Sequence, residues 1–230
     1  MIKYVEKIKK LRNERGFSQD QIAKAIGVSR PTYTAIEAGK QELSLEEAKK
    51  LSALFGISVD ELSSGNISDI QKYKHMILTF LRMNISKDGK IPKTKLAKML
   101  YLADFAWFYD HLESMSGMTY RKIEYGPVPD SFFRALDELE FDGKINIDCK
   151  CSNGKDLYLV SENESNRNEK IQTISLEEKT LMKKIALKWK YKNTKDIVTF
   201  THNQMPYSLC RNNELIPYEL ITQEDPDLVY

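Results

Sequence analysis

Two short helical patterns lie next to each other near the N-terminus, and only the dipeptide Gly27-Val28 separates them. In the first pattern Ser18 is a candidate N-cap and Gln21 follows three residues later, the spacing of a capping box. The second pattern begins with Ser29 as a candidate cap and has Pro31 in its first turn, where a missing N–H group is tolerated. So short a connection between two capped helices predicts a helix-turn-helix.

Three more helical patterns surround this pair. Apolar residues recur at helical spacing from Tyr4 to Leu11. A second capping box, Ser44 with Glu47, opens a helix that should stop at Gly56, and residues 58–62 add a last short helical turn. The N-terminal part of the chain is therefore predicted to be a bundle of short helices.

Length favours a second domain after this bundle. The chain has 230 residues, more than the roughly 100–200 of a typical domain. The segment Ser63-Ser64-Gly65-Asn66 is small and polar, which is typical of a linker. We therefore expect an N-terminal domain over residues 1–62, a linker over 63–69 and a second domain over 70–230.

The second domain has mostly helical periodicity. Helices are predicted over residues 70–81, from Pro92 to Gly117, from Phe132 to Leu139, from Ser175 to Trp189 and from Asp196 to His202. Tyr120–Tyr125 is predicted to be extended and Gly126–Pro129 to form a turn. Alternating apolar residues on both sides of Asn153-Gly154 predict a small β-hairpin, and the polar segment 161–172 is expected to be mobile. The whole chain is predicted to be mainly α, with a mostly helical (α+β) second domain.

Charge is polarised within the first domain. Residues 1–40 contain nine basic and four acidic residues (9 − 4 = +5), whereas residues 41–62 contain two basic and five acidic ones (2 − 5 = −3). The whole chain carries a formal charge of only +2, which by itself indicates neither nucleic-acid nor membrane-surface binding. Basic charge around the helix-turn-helix favours contact with a sugar-phosphate backbone.

The remaining composition indicates an ordinary reducing compartment. No apolar run approaches the length of a membrane span, and no signal-peptide pattern occurs at the N-terminus, so we expect a cytoplasmic protein without membrane contact. The chain has three cysteines, Cys149, Cys151 and Cys210, which is too few for a disulfide framework.

Residues 17–40 resemble the Cro/CI (XRE) family of helix-turn-helix domains; their sequence is FSQDQIAKAIGVSRPTYTAIEAGK. The resemblance extends to GISVDEL at residues 56–62 and implies a five-helix, lambda-repressor-like fold that binds double-stranded operator DNA as a homodimer. It also implies a phosphate contact for Gln19, a groove-facing position for Ser29, Arg30, Thr32 and Tyr33, and a backbone contact for Lys40. Pro31 departs from the more usual polar residue and removes one possible base contact. The alternative is a helical bundle that binds protein through the same polar positions.

Motifs of the common enzyme classes are absent from the sequence. The three histidines are not in an HExxH pattern, and there is no Walker loop, no GxGxxG and no G-x-S-x-G. Cys149 and Cys151, joined by Cys210 and His202, could form a tetrahedral zinc set, but ordinary thiols on a hairpin are the competing interpretation. We therefore expect no catalysis, no metal and no cofactor.

Three segments of the second domain resemble the Panacea (SocA-like) antitoxin domain. They read KTKLAKMLYLADFAWFYDH, YRKIEYGPVPDSFFRALDEL and FTHNQMPYSLCRNNELIPYELI. The matching positions include Lys98, Tyr101 and Asp104 in the first, Tyr125-Gly126-Pro127 in the second and Thr201-His202 in the third. Tyr207 stands where many members have tryptophan.

Two roles are open for the matching residues Tyr101, Asp104, Trp107, Tyr125, Gly126, Pro127 and His202. If Asp104 is buried, it must be paired or heavily hydrogen-bonded, and Arg121, Tyr125 or His202 could be the partner. These residues then either hold the domain core together or line a groove for a partner protein. The succession Trp107-Phe108-Tyr109 cannot lie on one helix face, so at least one of these aromatic rings should point outward.

The two resemblances together imply an antitoxin of a type II toxin-antitoxin system. Such a protein neutralises a cognate protein toxin by direct binding and represses its own operon. The alternative is a phage or prophage transcriptional regulator whose C-terminal domain binds another protein. An enzyme regulated by its DNA-binding domain is a third possibility.

Overall fold

A computed structural model describes residues 4–57, 59–64, 69–83, 85–86, 88–152 and 155–230. The chain forms two compact units, residues 1–67 and 68–230. Residues 65–68 of the predicted linker and the predicted hairpin turn Asn153-Gly154 lie outside the described residues.

The N-terminal unit consists of short helices, which confirms the predicted fold class. These are α1 (Val5–Glu14), α2 (Gln19–Ile26), α3 (Arg30–Glu37), α4 (Leu45–Phe55) and α5 (Val59–Ser64). Both predicted capping boxes form, one at Ser18 and one at Ser44. Helix α5 includes Ser63 and Ser64, which were expected to lie in the linker.

One apolar core holds this unit together. Helices α1 to α5 each contribute to it, and its fully buried members include Ile8, Ile22, Tyr33, Leu51 and Phe55. Gly27 ends α2 in the left-handed conformation, with φ of 84°, which lets the chain turn directly into α3. The turn between the two helices is thus as short as the sequence predicts.

The C-terminal unit is built around one buried helix. Its helices are α6 (Ile70–Leu81), α7 (Lys93–His111), α8 (Ser131–Phe141), α9 (Leu176–Trp189), α10 (Thr194–Asn203) and α11 (Met205–Ser208). Every residue of α7 from Lys95 to Ala106 is buried, so this helix has no solvent face over that stretch. The expected end at Gly117 is wrong, because Leu112 terminates α7 in the left-handed conformation, with φ of 58°.

Two small antiparallel sheets complete the unit. Strands β1 (Ile91–Pro92), β4 (Ile145–Ser152) and β5 (Lys155–Glu162) form a sheet in the order β1-β5-β4, while β2 (Tyr120–Ile123) pairs with β3 (Gly126–Pro129). The β4–β5 hairpin confirms the prediction from alternation. Strand β1 was not predicted, because two residues are too short to carry a periodic pattern.

Gly126–Pro129 is a strand and not the predicted turn. Prolines lack the N–H group of a β-ladder, yet Pro127 and Pro129 lie opposite Lys122 and Tyr120. The backbone groups of Lys122 and Tyr120 point away from β3 and form their hydrogen bonds with residues 214–216. The N–H of Lys122 donates to Glu214 O, and Tyr120 O accepts from the N–H of Ile216. The prolines therefore lie at positions where the ladder needs no donor from β3, as expected at a sheet edge.

The polar segment 161–172 is anchored, contrary to the expectation that it is mobile. It contains the end of β5 and a 3₁₀ turn, Glu164–Asn166. Arg82 at the end of α6 donates to both carboxylate oxygens of the buried Glu162 and to the carbonyls of Asn166 and Glu169. The guanidinium of Arg82 thus satisfies a carboxylate and two backbone carbonyls of this segment, which would otherwise need water as their hydrogen-bond partner.

Candidate functional site

The start of α3 presents polar side chains on the surface of the N-terminal unit. Ser29 Oγ accepts from the backbone N–H of Thr32 at 3.2 Å and lies 2.8 Å from Thr32 Oγ1. Arg30 is exposed, and its guanidinium forms no hydrogen bond or ion pair with the rest of the described chain. An unengaged guanidinium at a helix start can donate two hydrogen bonds to one guanine edge.

A buried polar network holds α1, α2 and α3 in position behind this surface. Glu37, at the end of α3, accepts from Arg12 Nε at 2.5 Å, Gln19 Nε2 at 2.8 Å and Tyr33 Oη at 2.9 Å. Burial alone would raise the pKa of Glu37, but the hydrogen bonds from Arg12, Gln19 and Tyr33 outweigh it and lower that pKa. The carboxylate thus stays ionised and ties the three helices together.

This network corrects one of the predicted DNA contacts. Tyr33 is fully buried with its hydroxyl on Glu37, so it does not face a groove. Burial also raises the pKa of Tyr33. Gln19 is half-buried and its amide is engaged by Glu37, whereas Ser29, Arg30 and Lys40 are exposed and Thr32 is half-buried.

In the C-terminal unit, the three segments that carry the family resemblance meet at Gly126. This residue has φ of +98°, and a Cβ placed on it would lie 2.6 Å from Lys98 Cε and 2.9 Å from His202 Nε2. A side chain at this position would meet α7 and α10 at once. The glycine therefore lets β3 pass directly over Lys98 and His202.

Lys98 is a fully buried lysine whose amine donates to one neutral acceptor. This acceptor is Pro127 O, at 3.1 Å, and burial lowers the pKa of Lys98 from 10.5 to about 7. Burial, and then the charges of Lys98 and Lys122, also lower the pKa of His202. His202 Nε2 has no hydrogen-bond partner in the described part of the chain.

Tyr207 closes this cluster from the side of α11. Its ring stacks on His202 with centroids 4.3 Å apart, Lys122 Nζ lies 4.5 Å from its centroid, and its hydroxyl donates to Ile123 O. The ring of Tyr207 thus stacks on one histidine and contacts one lysine, and its hydroxyl bonds to β2. These contacts explain why an aromatic residue occupies this position.

Asp104 occupies a second buried site on the same helix. Its carboxylate accepts from Ser116 N at 2.7 Å, from Ser116 Oγ at 2.5 Å and from Tyr120 Oη at 2.8 Å. Burial raises its pKa to about 6, although hydrogen bonds from Ser116 and Tyr120 oppose this shift.

The partners expected for Asp104 are wrong. Arg121 bonds to Asp130 and to Asn213 O, Tyr125 is 69% exposed, and His202 lies in the Gly126 cluster. The donors are instead Ser116, in the loop after α7, and Tyr120, at the start of β2.

The seven family-motif residues, which could either hold the core together or line a groove for a partner, differ in their burial. Tyr101, Asp104, Gly126 and Pro127 are buried and His202 is half-buried, whereas Tyr125 is exposed. Trp107, Phe108 and Tyr109 are all half-buried against the core, and Trp107 stacks on His111 with centroids 3.7 Å apart. The site thus combines a polar core with a few aromatic rings that reach the surface.

The cysteines do not form the zinc set that the sequence left open. Cys149 and Cys151 are exposed on β4, whereas Cys210 is buried, with its thiol near Leu215 O. Across the described ranges, no group of three or more His, Cys, Asp or Glu side chains is placed to hold a metal ion. Over the same ranges, no helix combines the length and apolar character that a membrane crossing needs.

Two functional features were missed from the sequence. The Glu37 network could have been suspected, since Glu37 lies four residues after Tyr33 and therefore on the same helix face, within reach of its hydroxyl. The lysines of α9 at 179 and 183 share one face by their spacing of four residues, and they line a groove described below.

Comparison with known protein families matches both units. A helix-turn-helix family model covers residues 8–62, and the model for the antitoxin SocA-like, Panacea domain covers residues 96–207. The first match spans α1 to α5, and the second spans most of α7 through Tyr207. No solved structure gives a significant match to this chain.

Individual relatives match the N-terminal unit. The chain is 38% identical over 69 residues to the cryptic phage CTXphi transcriptional repressor RstR of Vibrio cholerae, covering 30% of this chain and 62% of that protein. It is 40% identical over 60 residues to the prophage-derived regulator YonR of Bacillus subtilis, covering 26% of this chain and 56% of that protein. It is 42% identical over 72 residues to the control protein C.MunI of a Mycoplasma species, covering 31% of this chain and 92% of that protein. The chain thus spans less than two thirds of the first two of these relatives.

The matches agree with the structure of the N-terminal unit, which has a short-turn helix pair and exposed polar residues at the start of α3. The chain belongs to the helix-turn-helix family, and residues 96–207 of its C-terminal unit match the SocA-like Panacea domain.

Proposed function

We propose that this protein is the antitoxin of a type II toxin-antitoxin system and the repressor of its own operon. The observation that carries the proposal is the presence of a regulator-type helix-turn-helix and a Panacea domain in one chain. In this mechanism the C-terminal unit binds a cognate protein toxin stoichiometrically, without catalysis or a cofactor, and the protein works in the cytoplasm.

Operator recognition is assigned to the exposed start of α3. Arg30 would read a guanine, Ser29 and Thr32 would contact bases or phosphates nearby, and Lys40 would contact the backbone. Gln19 would contact a phosphate with its amide nitrogen, either by giving up the hydrogen bond from Nε2 to Glu37 or by using the second hydrogen on Nε2. A homodimer would present two copies of this surface to half-sites about one helical turn apart.

Arg30→Ala is expected to weaken operator binding by about 10- to 100-fold, because one bidentate base contact contributes roughly 1–3 kcal/mol of discrimination. Fluorescence anisotropy with DNA from upstream of the protein's own gene, at fixed salt, measures this loss. Lys49→Ala is the matched control, since it removes one positive charge from an exposed position on α4. Unchanged affinity of Arg30→Ala for the operator would remove Arg30 from the interface.

Toxin neutralisation is assigned to the C-terminal unit. Tyr101, Asp104, Gly126, Pro127 and His202 would act by shaping its core, while Tyr125 and Trp107 are the family-motif aromatics that reach solvent. Co-purification of a tagged form of this protein with the product of the neighbouring open reading frame tests direct binding. A stable complex supports neutralisation by occupancy, and its absence at micromolar concentrations contradicts it.

A second function is favoured by the phage and prophage origin of two relatives of the N-terminal unit. In that case the protein is a prophage regulator whose C-terminal unit binds another protein. A harmless product of the neighbouring gene would favour this alternative.

A further inference from the structure

A groove of about 540 Å³ lies between one face of α9 and the C-terminal end of α6, and no residue of the Gly126 or Asp104 clusters lines it. Met83, Ile171 and Ala186 form its apolar floor. Leu187, which is 61% exposed, lies at its edge. A preformed concave surface with an apolar floor can receive the side chains of a partner.

The charged side chains that line the rim of this groove are all cationic, and Thr79 is the one uncharged polar residue among the described residues of its lining. Arg82, Lys179, Lys183 and Lys190 line it, and no carboxylate does. Lys183 and Lys190 form no salt bridge with any residue that the structure describes, and the one ring near either ammonium is that of the exposed Tyr191, 5.5 Å from Lys190 Nζ. Their ammonium groups are therefore available to an incoming negative charge.

The neighbouring acidic residues pair with cations other than the rim lysines, and Glu162 offsets the charge of Arg82 within the rim. Glu162 is bound by Arg82, Glu169 pairs with Lys144, and Glu178 pairs with Lys72. None of these carboxylates neutralises the lysine rim. The positive potential of the groove is therefore left for a ligand from outside the unit.

The groove is also held in shape. Arg82 ties α6 to the carbonyls of Asn166 and Glu169, just before Ile171, and Lys179 Nζ donates to Ile171 O at 3.3 Å. The floor and the rim are thus fixed to each other by hydrogen bonds, which lowers the ordering cost of binding.

We propose that this groove docks an acidic segment of a protein partner, with carboxylates on the lysine rim and apolar side chains against the floor and Leu187. A protein segment fits better than a nucleic acid, because phosphates would use the cations and leave the apolar floor uncovered. The identification of this partner as the toxin rests on the proposed function. The acidic and apolar character of the docked segment rests only on the residues that line the groove.

The direct test uses a fluorescein-labelled amphipathic helical peptide with glutamates on one face and leucines on the other. Full-length protein should bind it, and Lys183→Glu combined with Lys190→Glu should weaken binding at least about tenfold, because two attractions become repulsions. Lys150→Glu with Lys195→Glu is the matched control, since it makes the same charge change at exposed positions outside the groove. A second variant, Leu187→Ser, should weaken binding without any change in charge.

Several results would overturn the proposal. These are absence of peptide binding, equal loss in the control pair, equal affinity for a peptide whose leucines are serines, or stronger binding of single-stranded oligo-dT. The growth assay described in the Discussion separates the two proposals. If wild type relieves a toxic neighbour and the Lys183/Lys190 variant does so equally well, the groove is not the toxin site although the antitoxin role stands. If wild type gives no relief, the antitoxin role fails and the peptide experiment still decides the groove.

Discussion

Asp104→Ala is expected to destabilise the C-terminal unit by about 3–5 kcal/mol, a large part of the roughly 5–15 kcal/mol that stabilises a typical domain. The cause is the loss of the acceptor for Ser116 N–H, Ser116 Oγ–H and Tyr120 Oη–H. Donors that remain buried without an acceptor cost more than the hydrogen bonds themselves contributed.

Calorimetry of the full-length protein measures this effect. The transition of the C-terminal unit should move to a much lower temperature or disappear, while the N-terminal unit keeps its own transition, because the two units have separate cores. Asp110→Ala, an exposed position on the same helix, is the matched control and should leave both transitions unchanged. A stable Asp104→Ala variant that has lost partner binding would instead assign Asp104 to the interface.

The stability of the C-terminal unit is expected to rise between pH 7.5 and pH 9 by about 2 kcal/mol, and Lys98→Met should remove most of this rise. Burial lowers the pKa of Lys98 to about 7 in the folded protein, against 10.5 for the ordinary side chain. Between these two values the folded state binds fewer protons than the unfolded chain, so the free energy of unfolding increases with pH. Below pH 7 the folded protein must carry this charge in its core.

Urea unfolding at a series of pH values gives the slope directly. His202, whose pKa is lowered from 6.5, titrates below this range. Burial raises the pKa of Cys210 from 9.0, so near pH 9 this thiol ionises first in the unfolded chain and slightly opposes the rise. Lys95 has a lowered pKa and stays in the variant, so a small positive slope should persist. A wild-type slope of zero, or an equal slope in Lys98→Met, would mean that Lys98 keeps its charge in the folded state.

Local signals predicted much of this structure. The capping boxes at Ser18, Ser44 and Ser175 each act within one helical turn, so their residue types alone mark helix starts. The positions of α2 and α3 and the short turn between them follow from these signals and Gly27. The exposed position of Arg30 follows from the same register.

Contacts between distant residues could not be predicted in this way. Lys98 is charged and stands in a helical pattern, so only the packing of β3 and α10 over α7 makes it buried. Arg82 anchors a segment about 80 residues later, and no spacing rule links the two. The sequence motifs identified the residues at the Gly126 cluster, whereas their arrangement required the fold.

The error at Tyr33 has a different origin. Its groove-facing position is implied only by the resemblance to the Cro/CI family, whereas its spacing of three residues from the buried Ile36 places it on the core face of α3. The partner that draws it inward, Glu37, lies one turn later, and Arg12 and Gln19 stabilise that carboxylate from two other helices. A prediction based on local sequence does not include this three-helix network.

The central claim is that one chain combines operator binding with neutralisation of a toxin, each in its own unit. The most direct measurement is the growth of cells that express the neighbouring open reading frame together with full-length wild-type protein, with Arg30→Ala or with no partner. We expect growth arrest without this protein and relief by both wild type and Arg30→Ala, because neutralisation needs no DNA contact. A harmless neighbour, or a toxic one that full-length protein does not silence, would contradict this claim.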